Sequence, residues 1–222
     1  MTGGRRRVGR GRLTSRHGPG ELEFARVVAF SDGVIAIAIT LLVLTLDVPD
    51  VPADQFSDAL ADMWRSYVAF ALSFALIGRF WIIHHRTFSM IARFDGVLMT
   101  LNLLVLAFIV LMPFTTDLVA QHEENPIGVA LYASVLAAAG LTNWAMVRYA
   151  WRSGHVLESH RREADVAASW RTLAPSLIFI CSIPFVLISS DLAVLLWLVA
   201  LAPGVRPRRP LPDESEGDAP AT

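Results

Sequence analysis

Lysine is absent from this chain; all 19 basic residues among its 222 are arginine. That bias points to a GC-rich genome rather than to a function. Cysteine is almost absent: Cys181 stands alone in an apolar run, which excludes a disulfide framework and a cysteine-based metal site. No Thr-Val-Gly-Tyr-Gly loop occurs, so an ion filter built as a cage of backbone carbonyls is excluded. No Walker motif, Gly-x-Ser-x-Gly elbow or His-Glu-x-x-His helix occurs either, and nucleotide binding and hydrolase chemistry have no support. An enzyme is not expected, and nothing calls for a cofactor, a nucleic acid or a small-molecule substrate. No inverted repeat is obvious, which counts against a secondary transporter. No apolar run carries arginine at every third position, as a voltage sensor would.

What is present is apolar sequence in long blocks. The chain is 54% hydrophobic, with mean hydropathy +0.50. Ordinary soluble domains are about 45–50% apolar, so the excess marks a polytopic membrane protein with one compact domain. Spans are expected at about 24–46, 63–84, 95–116, 127–151 and 170–188, with Pro184 as a kink in the fifth. A sixth, about 192–201, is short enough to be interfacial. The Gly- and Arg-rich segment 1–21 and the Pro-rich acidic segment 204–222 lack any core-forming pattern and are expected to be disordered, leaving 22–203 as the membrane domain. A secretory signal is disfavoured, because the first apolar run is too long and carries Asp32. Between spans four and five, Glu158 is spaced to pair with Arg161 or Arg162 on a helix.

Charge placement supports the short sixth span. The leading segment is Arg-rich, whereas the 47–62 loop holds five aspartates and no arginine. Arg86 and Arg93 follow span two, while Asp117, Glu123 and Glu124 follow span three. Arg152, Arg161, Arg162 and Arg171 follow span four, and Arg206, Arg208 and Arg209 close the chain. The alternation predicts six spans with both ends cytoplasmic.

The run 24–46 organises the rest. As a helix it is roughly 34 Å long, enough to cross a hydrocarbon core. Polar groups in its first third, Arg26, Ser31 and Asp32, must be paired or wet. On a wheel of about 100° per residue, Ile37, Leu41 and Leu44 form one stripe with Thr40 at its edge. Gly33, Phe30 and Arg26 continue it, while Asp32 lies about 140° from Ile37 on another face. The stripe either meets lipid or a neighbouring helix, which periodicity alone favours, or it faces a pore. The Thr40 hydroxyl either bonds a carbonyl one turn back or meets a passing ion. Arg26, His84, His85 and Asn102 are the candidate partners of Asp32. That cluster is a proton relay or, since no second intramembrane acid exists, a latch joining spans one to three. Adjacent His84 and His85 point about 100° apart, which argues against a metal site.

Three pieces in order resemble one family. They are Arg26…Phe30-Ser31-Asp32…Ala36-Ile37…Thr40…Leu44, then Phe80-Trp81-x-x-His84-His85-x-x-Phe88, then Asp95…Leu101-Asn102-Leu103…Pro113-Phe114. Together they resemble the transmembrane protein 175 family of potassium channels. The resemblance implies an all-α membrane protein of six transmembrane helices per subunit, assembled as a homotetramer around a pore lined by the first helix. It implies apolar constriction layers at Ile37, Leu41 and Leu44, a selectivity-linked hydroxyl at Thr40, and a structural signature at Arg26, Phe30, Ser31 and Asp32. The expected activity is passive, potassium-selective conduction in the cell membrane, with potassium met only in transit. The competing expectation is a proton- or cation-coupled transporter using Asp32, His84 and His85.

Overall fold

The computed structural model describes residues 19–121, 126–186 and 196–197. Within them the chain is helical: α1 (Pro19–Leu41), α2 (Phe56–Asp62), α3 (Trp64–Met90), α4 (Gly96–Gln121), α5 (Pro126–Arg152), α6 (Arg161–Ala167) and α7 (Ala174–Val186). Short 3-10 turns follow α1 at Leu42–Thr45 and precede α7 at Trp170–Leu173. Among the described residues four segments are long and apolar enough to cross a membrane: Leu22–Thr45, Trp64–Met90, Gly96–Gln121 and Pro126–Arg152. Helix is the form that satisfies every backbone group within its own segment, so β-branched residues are tolerated along α1.

The boundaries differ from the sequence expectation in ways that local chemistry explains. α1 begins at Pro19, inside the segment expected to be disordered; proline is pre-set for the first helical turn, where its missing N–H is not needed. α4 runs through Pro113 to Gln121. Proline removes only the one ladder bond to the Ile109 carbonyl, and membrane helices tolerate that loss inside a packed bundle. The acidic 47–62 loop contains α2, none of whose residues is buried. Seven residues are too few to show a period. The helix of the fifth span begins at Ala174, because the 3-10 turn takes its first residues and Pro175 suits a helix start. Glu158 pairs with Arg161 at 3.2 Å rather than with Arg162.

Residues 1–18, the chain break expected at Glu123 and Glu124, most of the sixth span and the trailing segment lie outside the described residues. Of that span, Trp197 is buried; its Nε1 donates to Ser182 Oγ at 2.9 Å, and its ring lies 4.9 Å from that of Tyr132.

α4 packs most extensively on α5, α5 on α7, and α1 on α3 and α4. The main core runs through Ile35, Leu42, Leu76, Ile109, Met112 and Leu136. In lipid such contacts hold by close packing rather than by expulsion of water, so small residues matter. Gly140 is one: a Cβ there would collide with Ser176 Oγ, which is how closely α5 and α7 approach. A second core at the arginine-rich end gathers Val27, Phe88, Ile91, Leu98 and Met146. Around it, an antiparallel bridge joins Ile91 to Val156, and Ala92 N–H donates to the His155 carbonyl at 2.7 Å.

Candidate functional site

α1 divides into two faces. Ile35 and Ala38 are 1% exposed and Leu42 is 0%, all packed into the core. Phe30, Ile37, Leu41 and Leu44 are 56%, 61%, 41% and 72% exposed. Arg26, Gly33 and Thr40 are exposed with them. The stripe drawn on the wheel is therefore the side of α1 that its own chain leaves uncovered. The Thr40 hydroxyl donates to the Ile37 carbonyl at 2.9 Å. Its proton is thus committed within the helix while its oxygen keeps lone pairs on the exposed side. Ser31 donates in the same manner to the Val27 carbonyl at 2.9 Å, but on the buried face.

Behind that face a polar network joins three helices. Asn102 of α4 is fully buried, and its Nδ2 donates to Ser31 Oγ at 3.0 Å. His84 Nε2 of α3 lies 2.8 Å from Asn102 Oδ1. An amide oxygen only accepts, so the imidazole donates and carries its proton on Nε2. The donors run one way: His84 to Asn102, Asn102 to Ser31, Ser31 to the Val27 carbonyl. The His84 ring stacks on Phe88 at 4.4 Å, and its Nδ1 is buried without a hydrogen-bond partner.

Asp32 belongs to a different set. Its Oδ1 accepts from Trp81 Nε1 at 2.9 Å, in place of the expected Arg26, His84, His85 or Asn102. The 140° offset from Ile37 carries Asp32 toward α3 but past the buried seam, onto the half-exposed flank where Trp81 lies. His85 is exposed, outside the latch, and lies against Trp81 at 5.9 Å. It follows His84 directly and so points away from the seam. Arg26 is exposed on the stripe and bonds to none of the described residues. Trp81 is the residue sequence reasoning missed. Its signal is chemical: an indole N–H in a membrane helix needs an acceptor, and the first span offers a carboxylate.

A further tie closes the arginine-rich end. Asp95 caps α4, its Oδ1 accepting from Leu98 N–H at 2.9 Å. Its Oδ2 accepts from the Tyr149 hydroxyl at 2.7 Å and lies 3.4 Å from His155 Nε2. The Leu98 N–H, then Tyr149, hold the Asp95 carboxyl below its ordinary pKa, with His155 adding to the effect.

Chemically, the exposed stripe offers apolar surface and one hydroxyl oxygen from Phe30 to Leu44, with the Arg26 guanidinium at its lower end and no carboxylate, imidazole or thiol. Among the described residues no three His, Cys, Asp or Glu side chains converge as a metal site requires. Such a surface can shape a path and strip water.

Three comparisons bear on this arrangement. A family model described as endosomal/lysosomal potassium channel TMEM175 matches residues 26–113, which hold α1 from Arg26 onward, α3, the polar network and α4 as far as Pro113. The potassium channel B446_29190 of Streptomyces collinus is 41% identical over 155 residues, covering 67% of this chain and 74% of that one. The potassium channel Cha6605_3372 of Chamaesiphon minutus is 35% identical over 167 residues, covering 72% and 82%. The crystal structure of a lysosomal potassium-selective channel TMEM175 homolog from Chamaesiphon minutus superposes with a TM-score of 0.72 at 32% identity, over 81% of this chain and 95% of that one.

Proposed function

This chain belongs to the TMEM175 family of potassium channels, and we propose that four copies enclose a potassium pore lined by α1. The family is one of ion channels, and conduction here is passive. In this reading each subunit contributes six membrane helices and sits in the cell membrane with both ends in the cytoplasm. The narrowest rings are Ile37 together with Leu41 or Leu44. Thr40 presents its oxygen beside them, and Arg26 and Phe30 line the cytoplasmic approach.

One observation carries the reading: from Phe30 to Leu44 the uncovered side of the family-matched helix is an apolar stripe bearing a hydroxyl oxygen. Apolar rings require an ion to shed part of its hydration and the pore to wet, so they act as gate and filter together. Potassium is less strongly hydrated than sodium, and the barrier favours it modestly. The coupled-transport alternative needs a connected path through Asp32, His84 and His85. Asp32 and His85 instead share Trp81, while His84 serves Asn102.

The test is potassium and sodium flux in liposomes, wild type beside Ile37→Asn. The proposal expects wild type to pass potassium better than sodium, and the variant, with a hydrated ring, to pass both. A variant that conducts like wild type removes Ile37 from the path. Saturable, pH-dependent flux abolished by Asp32→Asn in a folded protein favours the transporter. No flux from correctly assembled wild type ends the channel reading.

A further inference from the structure

Where α5 ends, a cleft of about 630 Å³ opens between its last two turns and the segment that returns through α6. Its lining includes Trp144, Arg148, Tyr149, Arg152, Asp165 and Trp170. The volume is that of a small-molecule site. The two arginines are one helical turn apart on one face of α5. Among the described residues neither has a carboxylate partner. Arg148 lies over the Trp151 ring at 5.3 Å, which orients its guanidinium without neutralising it. Arg152 is exposed.

The remaining walls are fixed. Trp144 Nε1 donates to the Ser169 carbonyl at 3.2 Å, pinning α5 to the returning segment. The Tyr149 hydroxyl is committed to Asp95, so tyrosine offers the cleft its ring. Ala145 and Ala168 line the cleft between them, small enough to leave the space open. Trp170 is strongly exposed.

We propose that this cleft binds the headgroup of an anionic glycerophospholipid. α5 is 27 residues long, so its last turn reaches the headgroup layer, where tryptophan and tyrosine gather. Basic pockets beside membrane helices at that depth hold lipid phosphates. The arginines take the phosphodiester oxygens in forked geometry, and the aromatic rings lie along the glycerol and the upper acyl chains. Asp165 repels phosphate and accepts from a hydroxyl, which fits a glycerol headgroup better than a bare phosphate. The proposal rests on α5 as a membrane helix and not on ion conduction, so a failed flux assay leaves it standing.

The test incubates the full-length protein in detergent with an equimolar mixture of phosphatidylglycerol and phosphatidylcholine, then counts retained lipids by native mass spectrometry. Wild type should favour phosphatidylglycerol about thirty-fold, the effect of two basic residues at an anionic surface. Arg148→Gln/Arg152→Gln should abolish the preference, the corresponding double lysine variant should keep most of it, and Arg93→Gln, outside the cleft, should not change it. Should the double variant misfold, Arg152→Gln alone should lower the preference about five-fold. The proposal is overturned if wild type shows no preference, or if the preference survives loss of both arginines. It is also overturned if Arg93→Gln weakens it equally, which would mean diffuse surface charge. Displacement of the lipid by excess inorganic phosphate would make the cleft a small-anion site and overturn the lipid assignment.

Discussion

On one face of α1, Ser31, Ile35, Ala38 and Leu42 are buried among α3 and α4; on the other, Phe30, Ile37, Leu41 and Leu44 stand clear of the fold. The buried face mixes apolar contacts with one polar stitch, and the stitch fixes which way the helix is turned. A hydrophobic seam alone tolerates rotation by a residue or slippage by a turn. Ser31 meeting Asn102 permits neither, because a misaligned register strands buried polar groups. The exposed face has no such constraint from within the chain, and its side chains are left to contacts made outside the subunit.

The sharpest way to break this division is Asn102→Leu. It leaves His84 Nε2 without an acceptor and removes the donor to Ser31, both in a buried seam. A loss of roughly 2–6 kcal/mol is expected, at 1–3 for each of the two groups, read as unfolding of the solubilised protein by heat or denaturant. A change under about 0.5 kcal/mol would mean that the network is not what positions α1. Trp81→Phe should have a smaller effect, about 1 kcal/mol, because the Asp32 flank is half-exposed and water can replace the indole. The smallest effect on stability is expected from Ile37→Asn, within about 0.5 kcal/mol, even though it should change flux most. If that variant loses about 2 kcal/mol or more, the stripe meets hydrocarbon instead of a wettable path.

Much of this was legible in the sequence. Residue spacing alone put Arg26, Phe30, Gly33, Ile37, Leu41 and Leu44 on one stripe and Asp32 off it, since an α-helix allows no other arrangement. That Ser31, Asn102 and His84 needed partners followed from their placement in apolar runs. Which partner each took did not follow. Pairing depends on how far each helix is rotated about its axis and shifted along it: Trp81, His84 and His85 lie within about 60° of one face and one turn apart, so a small offset exchanges one for another. The wheel also could not say whether the stripe faced lipid or a path. Exposure in one chain does not decide that, and family membership is what weights it. The α6 segment and its cleft were illegible for another reason. One of the bonds that position them, Trp144 to the Ser169 carbonyl, reaches across 25 residues with no periodic signal.

The 3-10 turn at Leu42–Thr45 has a bearing on the upper end of the stripe. An α-helix advances about 100° per residue, so side chains three apart diverge by about 60° and successive rows spiral around the axis. A 3-10 turn advances about 120° at about 2 Å per residue, so side chains three apart stand in file, about 6 Å apart. Leu41 and Leu44 are related in that way, whereas Ile37 and Leu41 are joined by ordinary α-helix. The tighter winding replaces a helical staircase of leucines with a vertical column. A substitution that relaxed those four residues to α-helix would swing Leu44 sideways by about 60° without moving Ile37, changing the phase of one end of the stripe relative to the other.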